Sequence, residues 1–376
     1  MTDIGANSIP AATGPAAAST RAGRARATAP SGRWQTPRFA LARARSAVAS
    51  LVGARAAEVR FTASASDAVA GAWRAALERP GAARRVVISA GDEAADAGLV
   101  ASFAQQGVCI DRVAVDRHGR IDEAAFAEAL ATPAALVSLT GAITATGVLQ
   151  PFARLALLAR ERAVPVHIDA TPIVGRLWLN LSTMRIEFLS LAGSAIGDSS
   201  GLCALVAPES AAVGPIVPGH GRLSDVAGFG VAAASAKQRL VAAAEHTSRL
   251  RNTFEGSLRG HCPGVHVHGE RVPRLPHVSC VAFTGLDAGH ALSLLRRPGR
   301  NRLAAVTMEA ASPPALAALG VPRDEAECSV RFALQHTSTR AEVQALIAAV
   351  LDCEKPVIAK VGGTAAGIGA HLALAC

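Results

Sequence analysis

The 376-residue chain carries 38 lysines and arginines against 29 acids, a formal charge of +9, with half its residues hydrophobic, no tyrosine, three tryptophans and ten phenylalanines. That length predicts a large domain plus a smaller one, with a core of alanine, valine and leucine. The charge does not indicate nucleic acid: residues 1–60 hold nine arginines against Asp3 and Glu58, leaving +7 of the +9 in a segment without aromatic platforms or a binding motif.

Lysine is confined to Lys237, Lys355 and Lys360. Seven dispersed cysteines form no C-x-x-C pair, which reads as reduced thiols and a cytoplasmic location. Residues 1–30 lack the apolar core of a secretory signal. No purely apolar run reaches the roughly eighteen residues of a membrane span, and 357–376 is broken by Lys360 and His371.

In chain order, a basic N-terminus (1–30) is expected to be disordered. "TPRFALARARSAVASLVG" (36–53) then predicts a helix, with Thr36 as cap, Pro37 at the first turn and Gly53 as stop. Strand-like runs follow: "EVRFTAS", "RRVVISA", "VCIDRVAV", "AALVSLT", "VPVHIDA", "IEFLSLAG" and "GLCALVA". Helical patterns at 67–78, 93–106, 122–131 and 151–163 separate most of them. Strands spaced by helices cannot pair as hairpins, so they predict an α/β domain with a mostly parallel sheet and ligands at the carboxyl ends of its strands. A long helix at about 226–258 leads to a smaller α+β domain: strand "HVSCVAFTG" (277–285), helix 287–297, strand "LAAV" (303–306), helix 314–319, strand "CSVRFAL" (328–334) and helix 339–353. The expected division is a large domain at 31–258 with its connecting helix, a small domain at 259–354 and a glycine-rich tail at 355–376.

Asp169 ends "VPVHID", facing the expected crevice. An acid there can hold a metal, orient a histidine, hydrogen-bond a protonated ring nitrogen, or only cap the following turn. His167 shares its side of the strand, and His266 and His268 in "GVHVHGE" repeat that alternation. Two histidines without a third ligand read as structural or exposed, so no metal is expected.

The stretch from "VSLTGAITATGVLQ" through "VHIDATPIVG" to "SLAGSAIGDSSGLCAL" resembles the central block of cysteine desulfurases in the class V aminotransferase superfamily. That block reads V-S-x-x-x-x-N-N-E-x-G-x-x-Q, H-x-D-A-x-Q-x-x-G and S-x-S-G-H-K-x-x-G-P-x-G. "EVRFTASASDAV" (58–69) is similar to F-T-S-G-A-T-E, and "SVRFALQHTSTRAEV" (329–343) to the C-terminal S-x-R-x-S block. The resemblance covers roughly residues 30–350. It implies a class V aminotransferase-like large domain with a smaller α+β domain, and pyridoxal phosphate as cofactor. In the family the cofactor is tethered to the lysine of G-H-K and faced by an aspartate, and its phosphate lies on the Gly-Ala-Thr turn. A loop cysteine takes the sulfur, and an arginine holds the substrate carboxylate.

Position by position, the resemblance assigns Ala65, Ser66, Asp169 and Ser194 to the cofactor and Arg331 to the substrate. Ala195 stands at the lysine position, so no catalytic set is intact. Ser194 replaces the preceding histidine, Ala192 a phosphate-binding serine, and Pro172 the glutamine that bonds the cofactor's phenolic oxygen. Ile143 and Thr144 replace the paired asparagines, and Asp92 the ring-stacking histidine. No cysteine occurs in 303–320, and "PGHGR" (218–222) falls near a shortened phosphate-reaching loop. Arginine cannot stand in for the lysine, because its guanidinium stays protonated.

These departures imply a catalytically impaired family member, a homodimer serving as dimer partner or scaffold for a sulfur-acceptor or iron–sulfur assembly protein. The alternative is an active pyridoxal-phosphate-dependent cysteine desulfurase or related lyase or transferase. With Ala195 at the lysine position, any bound pyridoxal phosphate is expected to be held without a covalent link.

Overall fold

Short apolar runs broken by alanine-rich helices can bury their faces only by layering, and the chain does so twice. The structure, a computed structural model, describes residues 37–91, 97–213, 223–262, 264–296 and 305–357. The N-terminal segment 1–30, Asp92, residues 218–222 and the tail from 358 lie outside them.

The first half runs α1 (Pro37–Val52), β1 (Val59–Thr62), α2 (Ala65–Leu77), β2 (Arg85–Ser89), α3 (Ala97–Gln105), β3 (Cys109–Val113), α4 (Glu123–Ala129), β4 (Leu136–Thr140), α5 (Phe152–Glu161), β5 (Val166–Asp169), α6 (Leu181–Met184), β6 (Phe188–Ala192) and β7 (Cys203–Val206). Its seven strands lie in the order β1-β7-β6-β5-β4-β2-β3. β3, β2, β4, β5 and β6 pair in parallel, while β7 runs antiparallel to both β6 and β1. All five residues of β4 and all four of β5 are buried, as befits strands covered on both faces. Ser64 caps α2 by accepting from the Asp67 amide, and Asp122 caps α4 by accepting from the Ala125 amide.

The helix predicted at 226–258 is α7 (Leu223–His261), a 39-residue rod. Its buried residues, among them Val226, Phe229, Ala233, Ala236, Leu240, Ala243, Thr247, Leu250, Phe254 and Leu258, recur every three or four positions and make one continuous stripe. Near its start α7 crosses α1 so closely that a Cβ on Gly230 would lie 2.7 Å from the Ala44 Cα, which explains a glycine inside a helix. Its far end packs on the second core, where the Phe254 and Phe332 rings sit 4.9 Å apart.

The second half comprises β8 (Val265–Val267), β9 (Val278–Phe283), α8 (Ala288–Leu295), β10 (Val306–Ala310), α9 (Pro313–Ala318), α10 (Arg323–Glu327), β11 (Ser329–Leu334) and α11 (Arg340–Val357). Its four strands form an antiparallel sheet in the order β10-β11-β9-β8. Of the strand predicted at "LAAV" (303–306), residues 303 and 304 lie outside the described residues, and β10 begins at Val306 and runs on to Ala310. As an edge strand it alternates buried Val306 and Met308 with exposed Thr307 and Glu309, a pattern that a search for continuous apolar runs passes over. Among the described residues, no helix is long and apolar enough to cross a membrane.

Candidate functional site

Asp169 is the last residue of β5, in register with Thr140 of β4 and Ser190 of β6. In-register neighbours in parallel strands share a face, so the His167 and Asp169 side chains lie on one side of the sheet with Ser138 and Ser190. Trp73 of α2 covers that side and its indole N–H donates to Ser138 Oγ at 2.8 Å. Ser138 Oγ lies 2.8 Å from His167 Nδ1, and His167 Nε2 lies 3.1 Å from Ser190 Oγ. Ser190 Oγ in turn donates to Asp169 Oδ1 at 3.2 Å. Because the carboxylate can only accept and the neutral ring carries one proton, the protons run one way: Trp73 to Ser138, Ser138 to His167 Nδ1, His167 Nε2–H to Ser190, and Ser190 to the carboxylate.

Two further donors reach the same oxygen, the Thr171 amide at 3.0 Å and the Thr171 hydroxyl at 2.7 Å. The Thr171 hydroxyl oxygen also accepts from the Ala192 amide at 3.2 Å, joining the β5 and β6 ends. Burial raises the Asp169 pKa above the usual carboxylate range, and the hydrogen bonds from Thr171 and Ser190 oppose that rise. Burial alone drives His167 down to about 3, so the imidazole is neutral, as the proton direction requires. All three bonds to Asp169 fall on Oδ1. Oδ2 receives none of them, leaving an acceptor suited to a ring N–H.

Beyond Ala192 the chain makes a single tight turn, Gly193–Ile196. A Cβ on Gly193 would meet the Leu202 carbonyl and the Phe229 ring, both at 2.8 Å, so the turn is pressed between β7 and α7. Ser194 is exposed, and Ala195 is half-buried against the main core. Arg239 of α7 braces this turn, donating to the Ile196 carbonyl at 2.9 Å. Its positive charge, after burial, also lowers the pKa of Arg176.

Ala65 and Ser66 are the first two residues of α2, exposed at the same end of the sheet, since Thr62 and Ala192 both pair with Cys203. The hydroxyl of the capping Ser64 donates to Asp67 Oδ2 at 2.8 Å. Pro172 lies half-buried in the turn after β5, and Ile143 is 1 % exposed. Arg331, on β11, donates from Nε to the Thr144 carbonyl at 2.8 Å and pairs through its Nη1 with Glu309 Oε1 at 2.7 Å. Its hydrogen-bonding edge is thus already engaged within the chain.

Cys203 opens β7 at the crevice end, but burial raises its pKa, and the charges of Asp169, Asp67 and Asp198 raise it further. Cys280 is pushed up to about 12 by burial. Exposed Cys109 begins β3 and so sits at the end of the sheet opposite the crevice. Lys237 lies on the exposed side of α7, its Nζ donating to Ser50 Oγ of α1 at 2.6 Å.

Reading the sequence singled out Asp169 and His167 but passed over Ser138, Thr171, Ser190 and Trp73. The signal available was the strand alternation that places a serine beside each of the two. The absence of a third ligand near His266 and His268 is corrected by the fold, because α10 brings Glu325 against both.

The aminotransferase class-V family model matches residues 35–220. A cysteine desulfurase of Cereibacter sphaeroides is 32% identical over 333 residues, covering 84% of this chain and 85% of the relative. The cysteine desulfurase NifS of Azotobacter vinelandii is 27% identical, covering 86% and 83%. A NifS-like protein of known structure superposes with a TM-score of 0.76 at 19% identity, over 87% of this chain and 90% of its own.

Proposed function

This chain belongs to the cysteine desulfurase family, and we propose that it is a member which keeps the cofactor-cradling strand end without the covalent chemistry, working as a homodimeric partner or scaffold for sulfur-transfer or iron–sulfur assembly proteins. The observation that carries this reading is Ala195. In the turn after β6, position 195 carries a methyl group where the resemblance places an amine, and the bracing cation, Arg239, cannot lose its proton to react with a carbonyl.

The family depends on pyridoxal phosphate. The residues present fit the ring nitrogen and the phosphate of that group, but not its aldehyde. Asp169, with Oδ1 saturated and Oδ2 facing no donor among those three bonds, suits a pyridine N–H. The first turn of α2 suits the phosphate through its backbone amides. At position 195 no amine is available, so no covalent step is assigned. When bound, the cofactor supplies an electron sink. This chain's residues supply retention: Asp169 holds a proton at the ring nitrogen, and the hydrogen-bond chain from Trp73 keeps that carboxylate oriented.

Turnover is further opposed at Arg331, where Glu309 already pairs with Nη1 and competes with a substrate carboxylate. The Cys203 thiol, kept protonated by burial and nearby carboxylates, is a poor nucleophile. The test is sulfide release from cysteine by the full chain with pyridoxal phosphate and reductant. The expected result is no release above a control containing cofactor alone, and protein-dependent turnover overturns the reading. Light scattering should give twice the chain's mass.

A further inference from the structure

We propose that His266, His268 and Glu325 form a binding site for a divalent metal ion of the zinc class, with its fourth position open to a cleft between the two halves of the molecule. His266 lies on β8 and His268 one alternation beyond it, so both rings project from the same side of an edge strand. Glu325 reaches them from α10, 59 residues along the chain from His266. His266 Nδ1 contacts Glu325 Oε1, and His268 Nδ1 lies 3.8 Å from that same oxygen. The two rings meet edge-on with centroids 5.1 Å apart. One ligand atom from each of the three residues lies within 4.8 Å of the other two.

The tautomer of His268 is fixed from behind. Ser329 Oγ donates its only proton to the Glu325 carbonyl at 2.7 Å, so at 2.9 Å it accepts the proton of His268 Nε2. The Nδ1 lone pair of a buried ring is thereby aimed at a carboxylate oxygen with no proton between them. Two lone pairs facing each other are unfavourable, and a cation between them reverses the sign. This is the arrangement that orients a metal-bound histidine, in which the second ring nitrogen is committed to an outer partner.

Zinc takes nitrogen and carboxylate oxygen at about 2.0–2.2 Å in a tetrahedron. The present spacing is uneven: Glu325 Oε1 is in contact with His266 Nδ1 and 3.8 Å from His268 Nδ1. His266, exposed on the strand edge, and the half-buried Glu325 side chain can open the one separation and close the other by rotation, while His268, 4 % exposed, stays anchored. Two imidazoles and one carboxylate favour zinc or its neighbours over calcium or magnesium, which need more oxygen ligands. A set of three protein ligands leaves one position for water or an anion. That position faces a cleft of about 840 Å³, lined on its far side by Asp116, His118 and Thr146 of the large domain.

The experiment uses the full chain, stripped with chelator and titrated with cobalt(II), whose visible spectrum reports its donor atoms. One cobalt per chain should bind with nitrogen and oxygen donors and without a thiolate charge-transfer band, and zinc should displace it. His266→Ala and Glu325→Gln should each weaken binding about tenfold or more. Ser329→Ala, which frees the outer nitrogen of His268, should weaken it by about ten- to a hundredfold. Thermal unfolding in chelator should be unchanged for His266→Ala, separating lost ligation from lost folding. No binding, a thiolate spectrum, or undiminished affinity in His266→Ala would each overturn the proposal.

Discussion

At the end of β5, Asp169 receives three hydrogen bonds on one oxygen and stands at the end of a relay reaching back to Trp73. Just beyond the end of the neighbouring β6, position 195 carries only a methyl group. The two sites face one crevice and differ in what a substitution costs. Removing any member of the Asp169 relay leaves a buried donor or acceptor without a partner, at about 1–3 kcal/mol each. Removing an amine from half-buried position 195 leaves no such orphan. A buried polar network is therefore tied to the stability of the fold, whereas a side chain at a crevice edge can change at little cost to it.

The largest effect expected from breaking this contrast is at position 195. Ala195→Lys should convert a chain that releases pyridoxal phosphate on gel filtration into one that retains it and becomes labelled on borohydride reduction. Next comes Asp169→Ala, which should lower reversible cofactor binding in equilibrium dialysis by about ten- to a hundredfold, the worth of one charge-assisted hydrogen bond. Equal binding by wild type and variant would make Asp169 only a turn cap.

His167→Leu should destabilise the fold by about 3 kcal/mol in denaturant titration, because it strips partners from the Ser138 and Ser190 hydroxyls together. The same histidine gives a pH signature. With its folded pKa near 3 against an ordinary 6.5, the unfolded chain binds a proton that the folded chain refuses throughout that interval. Stability should therefore fall as pH drops from 6.5 toward 3. The wild-type slope should exceed that of His167→Leu by up to about 1.4 kcal/mol per pH unit. Asp169 works the other way: its raised pKa lets the folded state hold the extra proton just above 3.8. Smallest of all, Glu309→Gln should cost no more than about 1 kcal/mol, since Glu309 is half exposed, while freeing Arg331 for added carboxylates.

The alternation of apolar strands with alanine-rich helices made the large sheet legible from sequence, and Asp169 stood out because it ends a largely apolar run, "VPVHID". The stretch of β10 beyond Val306 was not legible, because an edge strand shows only half its residues to the core. The relay was half visible: strand periodicity puts His167 with Asp169, but only the register of three parallel strands adds Ser138 and Ser190. Glu325 was beyond reach, since nothing local relates an acid on a one-turn helix to two histidines on a distant strand. That pairing exists only once β8, β9 and β11 share a sheet.

The most direct test of the central claim is borohydride reduction of the wild-type chain with excess pyridoxal phosphate, followed by removal of free cofactor and intact-mass measurement. Loss of the covalent tether predicts an unmodified mass, with the Ala195→Lys variant gaining one pyridoxyl group under the same conditions. A stoichiometric pyridoxyl adduct on a lysine of the wild-type chain would contradict it.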